Sequence, residues 1–367
     1  MQKVIFLQSG YAHYRKNLFL LLAQQHDITY VFNNSKNTYP GDLKLGDIPH
    51  IFIDKHPLIT PLVLFNLLIK EKPDVVITSW SSSMRTIITY FYSLLFHKKF
   101  ILWEEDWKKT TTKKLKPKEL LRTIRFLIGK KMIKSCDALI AGGTASSQYA
   151  ASLGKDKSKI FLALQCTDDI AKRKRHLTSP TNNKLVFLYL SRILDWKGLD
   201  LLLKAFSKLE MTRSDVSLLV AGDGPFKKTC LELSRNLQIV NVDFIGSVDP
   251  KNINDIFSRA DIFVLPSCFR SNTYEAWGLV INEAMSMGLP IITTNAVGAS
   301  YDMVENKING IIAEAGSDMS LYNAMKEILD LDLKKMGKQS RFIFEQKNQT
   351  YKMANGFTNA ISHVEYK

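Results

Sequence analysis

Two carboxylates stand eight positions apart in EAWGLVINEAMSMGLP (residues 275–290), Glu275 in the approach to an apolar stretch and Glu283 inside it. Taken alone, they are either a solvated loop acid and an exposed helix acid, or two strong acceptors for hydroxyl donors. Two cations, Arg192 and Lys197, stand five positions apart in SRILDWKGLDLLLKAF, a turn that opens a helix. Cations beside a helix N-terminus, where N–H groups and the helix dipole also favour negative charge, make an anion site; two solvated charges are the alternative. Gly224 in the turn DGP and Gly278 after Trp277 either let the backbone approach a ligand or serve as ordinary turns.

The elements that must position these residues are short apolar runs alternating with amphipathic helical stretches, twice over. In the first half the runs are KVIFL, DITYVF, HIFI, DVVITSW, KKFILW and DALIA, with helical patterns such as residues 61–70 and 83–96 between them. The polar stretch 167–184 interrupts the alternation and reads as a linker. The second half restarts it with LVFLYL, SLLVAG, VDFIG, DIFVLP, PIITT and GIIAE. Continuously apolar strands separated by helices predict an α/β fold whose parallel sheets are covered on both faces. Two doubly wound halves joined by a linker leave a central cleft, and ligands of such sheets bind beyond the carboxyl ends of the strands. Arg192, Gly224 and Glu275 all fall after such ends.

Composition narrows the function classes. The 367 residues are 46% hydrophobic, enough for two cores. Cys136, Cys166, Cys230 and Cys268 are widely spaced and form no CxxC pair, which argues against a zinc site or a disulfide framework and for a reduced, cytoplasmic setting. The N-terminal apolar run is too brief for a signal peptide, and no 18 apolar residues run together. The sequons at Asn33 and Asn348 are therefore not expected to be glycosylated. Net charge is +15, of which residues 1–170 carry +11. Residues 108–134 alone hold eleven basic side chains against the single acid Glu119.

The ordered set RILDWKG, AGDGP and the E-x7-E stretch EAWGLVINEAMSMGLPI resembles the donor-binding half of retaining glycosyltransferases of the GT-B fold, especially family 4, also called glycosyl transferases group 1. The resemblance is close over about residues 185–330, including NGIIAE and the helix 319–329, and covers the first half only in layout. It implies two Rossmann-like domains facing a central cleft, with 1–168 binding the acceptor and 185–345 a nucleotide-sugar donor. Residues 346–367 would be a helix packing back on the first domain. It also implies that Glu283 binds the ribose hydroxyls and Glu275 a hydroxyl of the transferred sugar. The N–H groups of Gly278, Leu279 and Val280 would meet phosphate oxygens. Arg192 and Lys197 would neutralise the departing diphosphate, so that no metal or other cofactor is required. The DxD at Asp330-Leu331-Asp332 lies past these motifs and reads as surface charge.

The first half departs from the family pattern. Its first strand is followed by SGYAHYR, with Gly10 able to approach the diphosphate and His13 near enough in sequence to share the site. Where many members place a histidine, this chain has Glu104, Glu105 and Asp106 between Trp103 and Trp107. That cluster either binds a sugar or takes the acceptor's proton, or is a solvated acidic loop. In KPKELLRTIRFLIGKKMIK, apolar residues recur at helical spacing among Lys118, Arg122, Arg125, Lys130 and Lys131. This is the pattern of an interfacial helix on an anionic membrane surface, or of a core-packed helix with a solvated basic face. No nucleic-acid-binding motif accompanies the charge. The expected function is transfer of a sugar to a glycan or lipid-linked acceptor in cell-surface polysaccharide or glycolipid assembly, by an enzyme peripheral on the inner face of the membrane. A transferase for a small soluble acceptor and a non-catalytic nucleotide- or glycan-binding relative are the alternatives.

Overall fold

The computed structural model describes residues 1–8, 10, 12–34, 46, 48–54, 60–81, 83–107, 117–172, 184–270 and 273–365. The chain divides into two compact units, Met1–Gln165 with Gln349–Lys367, and Cys166–Asn348.

In the first unit the elements run β1 (Lys3–Gln8), α1 (Lys16–Gln25), β2 (Asp27–Asn34), β3 (His50–Asp54), α2 (Thr60–Glu71), β4 (Val75–Ser79), α3 (Met84–Leu95), β5 (Lys99–Glu104), α4 (Pro117–Ser135), β6 (Ala138–Ala141), α5 (Thr144–Ser152) and β7 (Ile160–Leu162). The described strands form one parallel sheet in the order β3-β2-β1-β4-β5-β6-β7. Its inner strands are apolar on both faces: Val4 through Leu7 and Val75 through Ile77 are buried throughout. One face packs on α2, α3 and α4, where Ile5, Leu7 and Val76 meet Leu64, Leu68 and Tyr92. The N-terminal apolar run is thus a central strand, which is why it reads as continuous hydrophobicity.

The second unit follows with β8 (Leu185–Leu190), α6 (Leu199–Glu210), β9 (Val216–Ala221), α7 (Lys227–Asn236), β10 (Val242–Gly246), α8 (Ile253–Ser258), β11 (Ile262–Leu265), α9 (Leu279–Ser286), β12 (Ile291–Thr294), α10 (Ser300–Met303), β13 (Gly310–Ala313), α11 (Asp318–Leu329) and α12 (Leu333–Lys347). Its described strands form a second parallel sheet in the order β10-β9-β8-β11-β12-β13. The order reverses between β8 and β11, the switch point at which doubly wound sheets bind ligands. Helices α6 and α11 pack together over Phe187, Tyr189, Leu218 and Val264. The last helix, α13 (Thr350–Glu365), belongs to the first unit, where Phe357 meets Phe6 and Trp103 and the helix packs along α1 and β5 to β7.

Two details differ from the sequence reading. Of the stretch read as a linker, residues 167–172 are packed into the second unit. Asp169 is held by both terminal nitrogens of Arg341 at 2.8 and 2.7 Å, and Thr167 exchanges backbone hydrogen bonds with the Asn348 side chain. Residues 173–183 lie outside the described residues. Asp332 is more than surface charge: its carboxylate accepts the Lys335 N–H at 2.9 Å and caps α12.

Candidate functional site

In the second unit the predicted residues gather at the carboxyl ends of β8, β9 and β11. After β8 the chain turns through Ser191 and Arg192, and this turn is pinned to the one after β9: Ile193 N–H donates to Asp223 O at 2.8 Å and Phe226 N–H to Ile193 O at 3.1 Å. Gly224 sits beneath that turn, its own N–H donating to the Asp223 carboxylate at 2.7 Å. Arg192 is exposed, with its backbone carbonyl accepting from Tyr189 OH at 3.3 Å.

Lys197 lies in a single 3-10 turn, Asp195–Lys197, that ends at Gly198 with φ +71°. A Cβ at Gly198 would stand 2.0 Å from the Pro266 carbonyl, so only glycine lets this turn close onto the end of β11. That closure carries Lys197 inward, where it is buried, and its Nζ donates to the Glu275 carboxylate. The same oxygen accepts from Ser267 Oγ at 3.3 Å, and the ammonium stands 4.5 Å from the centre of the Trp196 ring.

Glu275 is fixed by its backbone as well. Its N–H donates to Ala296 O at 3.1 Å, and its carbonyl accepts the Gly298 N–H at 2.9 Å, which ties the loop to the end of β12. Gly278 then opens α9 with φ +98°, and a Cβ there would crowd Leu265, Val297 and the Glu275 side chain at 3.0 to 3.2 Å. Leu279 and Val280 are the first helical residues, whose N–H groups have no partner within the helix. Glu283 is half-buried one turn further along α9.

The structure therefore brings Lys197, Glu275, Ser267 and Gly278 into one group and sets the Arg192 turn on Gly224. Sequence reasoning missed two features here. The Lys197–Glu275 pair joins residues 78 positions apart, which the sequence pattern sends to different parts of a ligand. A buried polar chain also runs from Trp277 Nε1 to Asn282 Oδ1 at 3.0 Å, and from Asn282 Nδ2 to Asn348 Oδ1 at 2.8 Å. It anchors α9 to the end of α12, and it buries the sequon asparagine Asn348.

In the first unit, Gly10 is half-buried just past β1, and His13 opens the 3-10 turn His13–Arg15, its side chain lying outside the described residues. The acidic cluster divides. Glu104 is the last residue of β5, wholly buried, and accepts the N–H groups of Ser81 at 3.1 Å and Asp106 at 3.2 Å, so the solvated-loop reading fails for it. Glu105 pairs with Arg15 at 2.7 Å and accepts Gln165 Nε2 at 2.6 Å, while the Arg15 guanidinium lies 4.3 Å over Trp103. Asp106 is half-buried. Near them Tyr149 has its hydroxyl pKa pushed up, by burial first and then by Glu104 and Asp106. Arg85 donates to Gln8 O at 2.6 Å, and burial brings its pKa down to about 10.

Of the basic residues in α4, Arg125, Lys130 and Lys131 are exposed; the side chains of Lys118 and Arg122 lie outside the described residues. The four cysteines are free and buried, and burial pushes Cys230 up to about 12. Among the described residues no three His, Cys, Asp or Glu side chains come together as a metal site, and no helix is long and apolar enough to cross a membrane.

Residues 171–347 match the family model described as glycosyl transferases group 1, so the second unit carries a domain of that family. The chain is 27% identical over 230 residues to the uncharacterized glycosyltransferase YqgM of Bacillus subtilis, covering 62% of this chain and 60% of that one. It is 28% identical over 175 residues to a GDP-mannose-dependent monoacylated alpha-(1-6)-phosphatidylinositol monomannoside mannosyltransferase of Corynebacterium glutamicum, covering 47% of this chain and 45% of that one. The chain thus spans less than two thirds of these relatives. The crystal structure of Anabaena Alr3699/HepE in complex with UDP superposes with a TM-score of 0.76 at 18% identity, over 99% of this chain and all of that one. The fold is GT-B.

Proposed function

We propose that the protein is a glycosyltransferase that moves a sugar, with retention at the anomeric carbon, from a nucleotide-diphosphate sugar to a glycan or lipid-linked acceptor in cell-surface polysaccharide or glycolipid assembly. The observation that carries this is the Lys197–Glu275 pair, built at the switch point of the sheet whose unit matches the group 1 family. In the ligand-free protein Glu275 neutralises Lys197. A donor seated over the Gly278 turn offers a diphosphate to the ammonium, and a sugar hydroxyl to the freed carboxylate.

Arg192 and Lys197 then meet the charge that grows on the diphosphate as the glycosidic bond breaks, the step at which electrostatic stabilisation contributes most. Glu283, one turn into α9, takes the ribose hydroxyls. Glu105 and Asp106 stand on the acceptor side, with Glu104 shaping their loop from beneath. Because two protein cations carry the charge, chelation by EDTA should leave turnover unchanged. The acceptor is placed at the inner face of the membrane, where Arg125, Lys130 and Lys131 of α4 meet anionic headgroups. UDP in the HepE structure and the lipid acceptor named for the C. glutamicum relative favour this donor class and this acceptor class.

A thermal-shift screen of nucleotide sugars tests the reading, since a ligand that binds only the folded state raises the melting temperature with its excess over Kd. A shift with one nucleotide family and its sugars supports it. No shift with UDP-, GDP-, ADP-, CMP- or TDP-sugars overturns it.

A further inference from the structure

Helix α3 is apolar on its outward side as well as on its inward side, where Ile87 and Tyr90 join the core. Three of its buried hydroxyls are satisfied by backbone carbonyls: Thr86 Oγ1 donates to Ser79 O at 2.9 Å, Thr89 Oγ1 to Arg85 O at 2.7 Å and Tyr92 OH to Leu68 O at 2.9 Å. Its outward side carries Met84, Phe91 and Leu95, at spacings of seven and four that make one helical stripe, and Phe91 and Leu95 are 54% and 65% exposed. A helix facing water shows the opposite pattern.

The neighbours extend this face. Helices α2 and α4 flank α3 on the same side of the sheet, tied to it through Tyr92 OH to Leu68 O and through Tyr90 OH with Ser135 Oγ at 2.8 Å. Outward on α2 stands Leu62, 67% exposed, and on α4 Leu127, 58% exposed. Beside these apolar residues Arg125, Lys130 and Lys131 are exposed, and no carboxylate pairs with them among the described residues. Helix α3 contains no acid, and Glu119 is the one acid in the sequence of α4.

An apolar plane with exposed cations at its edge matches one kind of surface. A second copy of the same face would set like charges against each other, whereas an anionic bilayer offers acyl chains below and phosphates at the rim. We infer that the outer face of α2, α3 and α4 inserts into an anionic membrane, with the α3 stripe entering the interface and the α4 cations pairing with headgroups. The inference rests on the lipid-linked acceptor of the proposed function and goes beyond it. It assigns the anchor to apolar side chains of α3 in addition to the charge of α4.

The test uses Leu95→Cys carrying an environment-sensitive fluorophore, which labels selectively because the native cysteines are buried. Met211→Cys, at a position of the second unit that is 80% exposed, is the control. Adding phosphatidylcholine vesicles that contain phosphatidylglycerol should shift the emission at position 95 to the blue and leave position 211 unchanged. Part of the shift should survive about 0.5 M salt, where surface charge is screened within a few ångströms.

The double variant Phe91→Ser, Leu95→Ser should weaken vesicle partition by about tenfold or more, as two apolar side chains no longer leave water. Its release of nucleoside diphosphate from the donor should be normal. If that variant still binds while Arg125→Gln, Lys130→Gln and Lys131→Gln together abolish binding, contact is purely electrostatic and insertion is refuted. If the double serine change instead converts a dimer to a monomer in sedimentation velocity, the face joins two copies and the inference fails. Absence of diphosphate release by the unmodified protein would refute the transferase reading and leave the vesicle results standing.

Discussion

Replacing Lys197 by alanine tests the geometry of the second unit before any substrate is added. The Lys197 and Glu275 side chains keep only 11% and 14% of their exposure, so the substitution strands a carboxylate that water reaches poorly. Removing one partner of a fully buried pair costs about 3–5 kcal/mol, and the residual exposure brings this to about 2–3 kcal/mol. For a unit of this size each kcal/mol lowers the melting temperature by about 2–4 °C, so Lys197→Ala should melt about 5–10 °C lower. Glu275→Gln should cost less, about 1–2 kcal/mol, because the ammonium left behind keeps the Trp196 ring as a neighbour. In the double variant Lys197→Ala, Glu275→Gln the two costs should fail to add by about 1–2 kcal/mol. Differential scanning calorimetry of the four proteins provides the cycle. An unchanged melting temperature for Lys197→Ala, or strict additivity in the double variant, would refute the pair as a coupled unit.

Other perturbations separate the remaining roles. Glu283→Gln should bind a free nucleoside diphosphate roughly 10–100-fold more weakly in calorimetry, the loss of a hydrogen bond to a charged acceptor; Glu275→Gln should bind it normally yet transfer slowly. Arg192→Ala should lower kcat more than donor affinity, by about 2–4 kcal/mol of transition-state stabilisation, so equal effects on both would move Arg192 off the leaving group. The Arg341 guanidinium, through its side-chain hydrogen bonds, holds the Asp169 carboxyl below its ordinary range. Its stabilisation is therefore complete above the unfolded value of about 3.9 and is lost as pH falls through the lower folded value. Asp169→Asn should lower the melting temperature at neutral pH and flatten its fall in acid; an unaltered acid limb would contradict this.

The strands were legible because sheets covered on both faces need continuous apolar runs, and KVIFL and DIFVLP carry them without interruption. β7 was not, because Ile160–Leu162 is a short edge strand whose Leu162 stays exposed. Arg192, Lys197, Gly278 and Glu275 could be named because strand-end turns concentrate them in short motifs. Their mutual arrangement could not, since the contact of Lys197 with Glu275 depends on Gly198 closing onto Pro266, a long-range packing event. Glu104 misled for a related reason. An acid at a strand end reads as solvent-facing until the following turn folds the Asp106 N–H back over it. The outward stripe of α3 was hidden because its inward side also carries polar residues, with the Thr86 and Thr89 hydroxyls satisfied by backbone carbonyls, which no periodicity of apolar residues reveals.

Release of nucleoside diphosphate from nucleotide sugars, followed in the unmodified protein and in Lys197→Ala, tests the central claim most directly. The account predicts slow release with water alone, faster release when a glycan or lipid-linked acceptor is added, and a fall of about two orders of magnitude or more in the variant. Release that is absent from the unmodified protein with every nucleotide sugar, or equal in the two proteins, would contradict it.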